Sequence, residues 1–317
     1  MPTFTPFERN PETCRQIADL WNAAAGPDLA FGAQFVAFNT QPMPGLAQAG
    51  RLAWEGGCLA GAALASHVAA EGPFQGEAWL DLLAVAPGEQ RRGIGSTLLA
   101  WAEGWLAGQG GRSVHVGGSL NPFAAGLPAD LNTQDFFFKR GYAVDEPPHE
   151  WDVVRSLKDY RTLYPEPPPG ADLRPLKPGE EHELIAFLQR EFPGRWLYEV
   201  EQFFRIGGHA GDFMVLRTEI GVDGFCWMTV ADSARPLERF YMHGLPRPWG
   251  QMGPLGVGAG CRGKGYGGAL IDAAACHLQA CGIDGCLIDW TSLLNLYGKF
   301  GYRPYRQYWM LNKSISA

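Results

Sequence analysis

The sequence predicts an α+β protein built of two similar halves, each a mixed β-sheet flanked by helices. Three observations carry this. A strand, a basic glycine-rich loop and a helix occur together twice, the elements around them recur in the same order, and Pro165-Glu166-Pro167-Pro168-Pro169-Gly170 stands between the halves. Proline in such a run gives a stiff, extended spacer, so the expected domains are 1–164 and 165–317. A length of 317 residues with 46% hydrophobic content suits two packed cores.

In the first half, Pro11 to Ala25 carries Ile17, Leu20 and Trp21 at helical spacing. Arg51 to Trp54 and Cys58 to Ser66, joined at Glu55-Gly56-Gly57, read as a hairpin. Leu80 to Val85 is a strand, Thr97 to Leu106 a helix and Ser113 to Val116 a strand. Gly117 to Asp130 is rich in Gly, Pro and Ala and reads as an extended loop. Phe136 to Tyr142 is a short helix stopped at Gly141, and Trp151 to Val154 is a last strand. The second half repeats this order. Asp172 to Leu176 leads to a helix near Glu180 to Glu191, a hairpin of Phe213 to Arg217 and Phe225 to Val230, and a fourth strand ending at Val257. A helix from about Ala269 to Leu278, a strand Gly285 to Trp290, a short helix Leu293 to Phe300 and a strand Arg306 to Leu311 follow.

The two loops are in register. Val257, Arg262, Gly265 and Gly267 each lie 172 residues after Val85, Gln90, Gly93 and Gly95. Glycine lets the backbone turn tightly, and the first amides of a helix are unpaired at the end where the dipole places roughly +0.5 charge. Such a terminus takes phosphate, and Arg262 and Lys264 in one loop, Arg91 and Arg92 in the other, add charge. Each loop therefore reads as a pyrophosphate seat. A Walker loop would need Lys-Ser/Thr after its last glycine, and none stands here. Gly263-Lys264-Gly265-Tyr266-Gly267-Gly268 matches the spacing of a dinucleotide fingerprint. That keeps a nucleotide-binding oxidoreductase among the alternatives, but Gly256 to Cys261 separates these glycines from the strand and only Asp284 or Asp289 could bind a ribose.

Gln90-x-x-Gly93-x-Gly95 and Arg262-x-x-Gly265-x-Gly267 both resemble the Gln/Arg-x-x-Gly-x-Gly/Ala loop of the acetyl-CoA-dependent N-acetyltransferases of the GNAT superfamily. The resemblance covers most of the chain, as two tandem GNAT-like domains. It implies that each sheet is splayed between its fourth and fifth strands, with the pantetheine arm of acetyl-CoA inserted there. The cofactor-binding residues it implies are Leu83, Ala84, Val85, Gln90, Arg91, Arg92, Gly93, Ile94, Gly95 and Ser96 in the first half. In the second they are Leu255, Gly256, Val257, Arg262, Gly263, Lys264, Gly265, Tyr266, Gly267 and Gly268. Exposed strand amides there would pair with pantetheine as an added strand would.

Acetyl transfer to an amine needs a neutral amine, a donor to the thioester carbonyl and a proton for the leaving thiolate. In the family a tyrosine that serves as this acid often opens a Tyr-x-x-x-Gly-Phe/Tyr pattern. Tyr297 to Tyr302 fits, whereas Phe137 takes the tyrosine's place in the first half. The second half is therefore expected to be catalytic, with Tyr297 as general acid, and the first to bind acetyl-CoA without turnover or to serve as scaffold. Both halves lack the asparagine that often precedes this tyrosine by about seven residues in the family. Asp289, Tyr241 and His243 are candidates for the base. Glu199 and Glu201 either meet an acceptor ammonium or form a solvated helix face.

The leading function is acetylation of the primary amine of a small molecule, with residues 190–205 and 231–251 shaping specificity. A non-catalytic acyl-CoA binder or sensor and a chain similar to the tandem mycothiol synthases are the alternatives. A net charge of −7 without long same-sign runs argues against nucleic acid and against an anionic membrane surface as partners. No signal peptide, membrane span or metal-binding spacing is apparent. Seven cysteines without Cys-x-x-Cys read as reduced thiols of a cytoplasmic protein. Paired halves can stand in for a homodimer, so a monomer is compatible and an oligomer is not excluded.

Overall fold

The computed structural model describes residues 1–69, 74–237 and 245–315. Tyr241 and His243 lie outside them. In chain order the elements are β1 (Thr3–Pro6), α1 (Pro11–Ala25), α2 (Ala33–Asn39), β2 (Leu46–Glu55), β3 (Cys58–Val68), β4 (Ala78–Val85), α3 (Ile94–Gly108), β5 (Ser113–Val116), β6 (Leu127–Pro128), α4 (Gln134–Phe138) and β7 (Ala143–Ser156). There follow β8 (Asp172–Pro175), α5 (Glu181–Glu191), α6 (Arg195–Arg205), β9 (Phe213–Thr218), β10 (Gly221–Thr229), β11 (Trp249–Val257), α7 (Tyr266–Ala280), β12 (Gly285–Thr291), α8 (Leu294–Gly298) and β13 (Arg303–Ser314).

Contacts divide the chain into two compact units, Met1–Glu150 with Arg306–Ala317, and Trp151–Tyr305. This differs from the expected boundary at 164/165, because strand pairing rather than the proline run decides membership. The end of β7 already belongs to the second unit, where Val154 lies opposite Leu287 of β12. In the first unit Asn312 of β13 lies opposite His115 of β5, and Leu311 packs with Leu80, Leu99 and Val114.

In unit 1, β1 to β4 are antiparallel neighbours, and β5 runs parallel to β4. In unit 2, β8 to β11 are antiparallel neighbours and β12 runs parallel to β11. The helices bury their apolar stripes on these sheets. α1 begins at Asn10, whose side chain accepts from the Thr13 amide at 2.9 Å, and places proline at its first position, where no N–H is needed. Its Ile17, Leu20 and Trp21 are buried as their spacing requires. α7 buries Leu270, Ile271, Ala274, Ala275 and Leu278. Asp272, also buried, accepts from the Tyr160 hydroxyl, the Thr162 hydroxyl and the Leu163 amide at 2.6, 2.6 and 2.8 Å, fastening the chain after β7 to that helix.

The short helix α6 is not marked by a clear start in sequence, and Glu199 and Glu201 fall on it. All seven cysteines are free thiols. Among the described residues no helix is long and apolar enough to cross a membrane.

Candidate active sites

Each unit splays at the same point. β4 pairs with β5 only through Trp79↔His115 and Leu80↔Val116. β11 pairs with β12 up to Gln251↔Leu287 and Met252↔Ile288. Leu80 and Met252 are 172 residues apart, as are Val116 and Ile288. A β-bulge opens the strand just beyond. The register of β3 with β4 slips between Leu64↔Leu82 and Ala65↔Leu80, which leaves Asp81 as the extra residue. That of β10 with β11 slips between Cys226↔Leu255 and Met228↔Met252. Bulges bend a strand and end its pairing, and this is how both fourth strands leave their neighbours. Leu83 and Val85, Leu255 and Val257 are half-buried along the freed edges, with Ala84 and Gly256 buried between them. Gly61 and Gly224, which sit opposite Val85 and Val257, show that the hairpins correspond.

The loops also share their backbone. Gly93 and Gly265 have φ of 87° and 84°, and the preceding left-handed positions are Arg91 at 63° and Gly263 at 73°. Among the described residues no side chain caps α3 or α7, which leaves their first amides open to an anion. The Gln90 side chain donates to the Val85 carbonyl at 3.2 Å and that of Arg262 to the Val257 carbonyl at 3.4 Å, holding each loop against its strand. A free strand edge running into an uncapped helix N-terminus fits a long amide-bearing chain that ends in a pyrophosphate. The loops differ at Gly268, where a Cβ would strike the Tyr164 hydroxyl. The counterpart Ser96 instead accepts from Arg140 at 2.6 Å.

In unit 1 a cavity of about 780 Å³ joins these features. Leu80 to Val85 form one wall, Gln90, Arg91, Gly93, Gly95 and Ser96 one end, and Trp21 and Phe123 the other side. Lys139 and Arg140 add positive charge, and Phe137 lines it as well. Arg92 turns away to pair with Glu55 at 3.0 Å and with Glu89, so it is not among the lining residues. Ile94 is in the core beneath the loop. Asp81, which the sequence motifs do not single out, also lines the cavity. Ser66 donates to its Oδ1 at 3.0 Å, and among the described residues no donor meets its Oδ2 in hydrogen-bonding geometry. Burial pushes its carboxyl up to about 6, against the opposing pull of the polar Ser119, Ser66 and Gln48 side chains. The signal in the sequence is an acid in the middle of the apolar run Leu80-Asp81-Leu82-Leu83.

Unit 2 places Asp289 at the corresponding mouth. Gly253 stands 172 residues after Asp81, and the Asp289 Oδ1 lies 3.0 Å from where its Cβ would be. Gln251 donates to the same oxygen at 2.7 Å and to the Gly253 carbonyl at 2.8 Å. The buried Arg235 donates in turn to Gln251 Oε1 at 2.5 Å and to Thr229, with its guanidinium 3.9 Å over Trp227. This network fixes the Gln251 amide with its nitrogen toward the carboxylate. Tyr297 is 6% exposed, in a core with Met252, Cys226, Ile288 and Tyr302. Burial, then the nearby Cys226 and Asp289, raise its hydroxyl pKa. Its proton therefore stays on oxygen at neutral pH. Glu199 pairs with Arg195 at 3.7 Å, whose guanidinium lies 4.4 Å over Trp290, beside Asp289. Glu201 has no such ion pair among the described residues.

The acetyltransferase (GNAT) family model matches residues 15–128, all within unit 1. A mycothiol acetyltransferase of Thermobispora bispora is 29% identical over 238 residues, 69% of this chain and 71% of that one. The glucosamine N-acetyltransferase region of a fungal multi-domain GH3 β-N-acetylglucosaminidase superposes on 98% of this chain with a TM-score of 0.85 and 24% identity. This chain spans 38% of that protein. A tandem GNAT protein from the clavulanic acid biosynthesis pathway gives a TM-score of 0.73 at 16% identity, covering 100% of this chain and 99% of that one. A GCN5-related N-acetyltransferase from Sphaerobacter thermophilus gives 0.70 at 18% identity, over 99% and 96%. Residues 15–128 thus match the GNAT acetyltransferase family model, and with its splayed sheets and doubled loop the chain as a whole is similar in fold to a solved tandem GNAT protein.

Proposed function

We propose that the protein is an acetyl-CoA-dependent N-acetyltransferase acting on the primary amine of a small molecule, with chemistry in unit 2. The observation that carries this is Asp289, one residue past the last β11–β12 pair, held by Gln251 at 2.7 Å and close enough to the buried Tyr297 to raise its hydroxyl pKa. Acetyl-CoA supplies an acetyl group on a good leaving group, a thiolate. The freed edge at Leu255 and Val257 holds the pantetheine amides, and the amides from Gly265 to Gly268, with Arg262 and Lys264, take the pyrophosphate. Asp289, oriented by Gln251, removes a proton from the acceptor ammonium. Tyr297 donates a hydrogen bond to the departing sulfur, and water completes the proton transfer.

The test is acetyl-CoA turnover over a panel of amino sugars, polyamines, aminoglycosides and amino acids. Glucosamine heads it, because the fungal region that superposes on this chain with a TM-score of 0.85 is a glucosamine N-acetyltransferase. Tyr297→Phe is expected to lower kcat by about 10²-fold while leaving acetyl-CoA affinity nearly unchanged. Equal turnover would make Tyr297 a packing residue.

A further inference from the structure

The two units hold their carboxylates on opposite strands. In unit 1 the fourth strand carries Asp81 and the position after the last β5 pair is Gly117; in unit 2 the fourth strand carries Gly253 and the position after the last β12 pair is Asp289. At the mouth of each splay there is thus one aspartate and one glycine, exchanged across the gap. The second carboxylate of each pair is excluded by space. In unit 2, a side chain at Gly253 would press on the Asp289 oxygen at 3.0 Å; in unit 1, a Cβ at Gly117 would meet the Ala124 carbonyl at 2.9 Å. A degenerate half would have no need of an acid buried at that point, since burying a carboxylate costs stability even with Ser66 bonded to one of its oxygens.

From this arrangement we infer that unit 1 is a second acetyl-transfer site, in which Asp81 is the base for an amine entering the cavity beside Trp21 and Phe123. The inference rests on the acetyl-CoA reading of the paired loops and extends it to the half that lacks the tyrosine. The balance of the step needs no acid at Phe137. The Asp81 carboxylate takes one proton from the acceptor ammonium. The amine nitrogen bonds to the thioester carbonyl carbon as the carbon–sulfur bond breaks, and the sulfur leaves as a thiolate with that electron pair. The second proton lost by the nitrogen reaches the thiolate through water, so products are the amide, free coenzyme A thiol and one proton released by Asp81. A thiolate is a far weaker base than the nitrogen anion that would otherwise have to leave, so it can depart without a protein acid. The family match over residues 15–128 falls on this unit and includes Asp81 and the whole first loop.

The test uses the full chain carrying Gly265→Val, which disables the second loop, alone and combined with Asp81→Asn. Calorimetry reads acetyl-CoA binding, and thiol release is measured with acetyl-CoA in water and with the amine panel. The expected result is one acetyl-CoA bound by Gly265→Val, with residual thiol release that Asp81→Asn lowers at least tenfold while one acetyl-CoA still binds. No binding by Gly265→Val would overturn the unit 1 site. Binding with release unaffected by Asp81→Asn would overturn Asp81 as base. In either case, wild-type turnover that falls on Tyr297→Phe would leave the unit 2 reading standing. Absence of thiol release from the wild type in every condition would overturn both.

Discussion

At Asp81 the role proposed for a single residue stands against stability. The folded-state pKa of Asp81, about 6, lies above its ordinary value of 3.8, so the native state binds more protons between those pH values. Stability from this group is accordingly present below about pH 4 and is lost as pH rises through 6. Asp81→Asn should therefore be more stable than wild type at pH 7.5, by up to roughly 3 kcal/mol at about 1.4 kcal/mol per pKa unit, and should show no such gain at pH 4. Urea melts at the two pH values check this, and an equal or lower stability at pH 7.5 would contradict the burial argument. The loop glycines act differently. Gly265 has φ of 84° with no described residue near its missing Cβ, so Gly265→Val strains the backbone by about 1–2 kcal/mol. A small drop in melting temperature, together with loss of one acetyl-CoA site, is the expected pair of readings.

Among the elements, β13 has the largest reach. Asn312 to Ser314 pair with Ser113 to His115, and the buried Arg306 donates to Asp130 at 2.5 Å and to the Asp28 carbonyl at 3.0 Å. A chain ending at Tyr305 is expected to lose hydrogen-exchange protection in β4 and β5 and the unit 1 acetyl-CoA site; protection retained there would contradict the assignment of this strand. The elements themselves are largely legible in the sequence. The 172-residue offset locates both loops, both fourth strands and the fifth strands to within a few residues, because glycine spacing and apolar runs are local signals. The ownership of β7 and β13 is not legible. Residues Arg306 to Leu311 read as a strand in any setting, and nothing in their alternation says which sheet edge they complete. α6 escapes a sequence reading because no capping residue opens it; Gly194 precedes it without a side-chain cap.

At the scale of the whole molecule, two copies of one fold have kept the same loop and splay and varied the residues around them. Loop backbone, bulge position and the last paired residues agree between the units, while Phe137 stands where unit 2 has Tyr297 and the aspartate changes strand. The sequence points to unit 2 because Tyr297 matches a familiar pattern. For the first half it gives a coenzyme seat or a scaffold and no base, because Asp81 looks like one polar residue in a strand until the splay beside it is known. The exchange is nonetheless within reach of the same offset, which sets Asp81 against Gly253 and Gly117 against Asp289. Asp289→Asn and Asp81→Asn should then suppress separable parts of the thiol release, and the double variant should remove nearly all of it; a double variant no worse than Asp289→Asn alone would leave unit 1 without a catalytic share.

The most direct measurement is calorimetric titration of the full chain with acetyl-CoA, read for stoichiometry. Two sites per chain are expected, falling to one in Gly93→Val and to one in Gly265→Val. A single site in the wild type, abolished by one of these substitutions and untouched by the other, would contradict the claim that both halves are coenzyme seats.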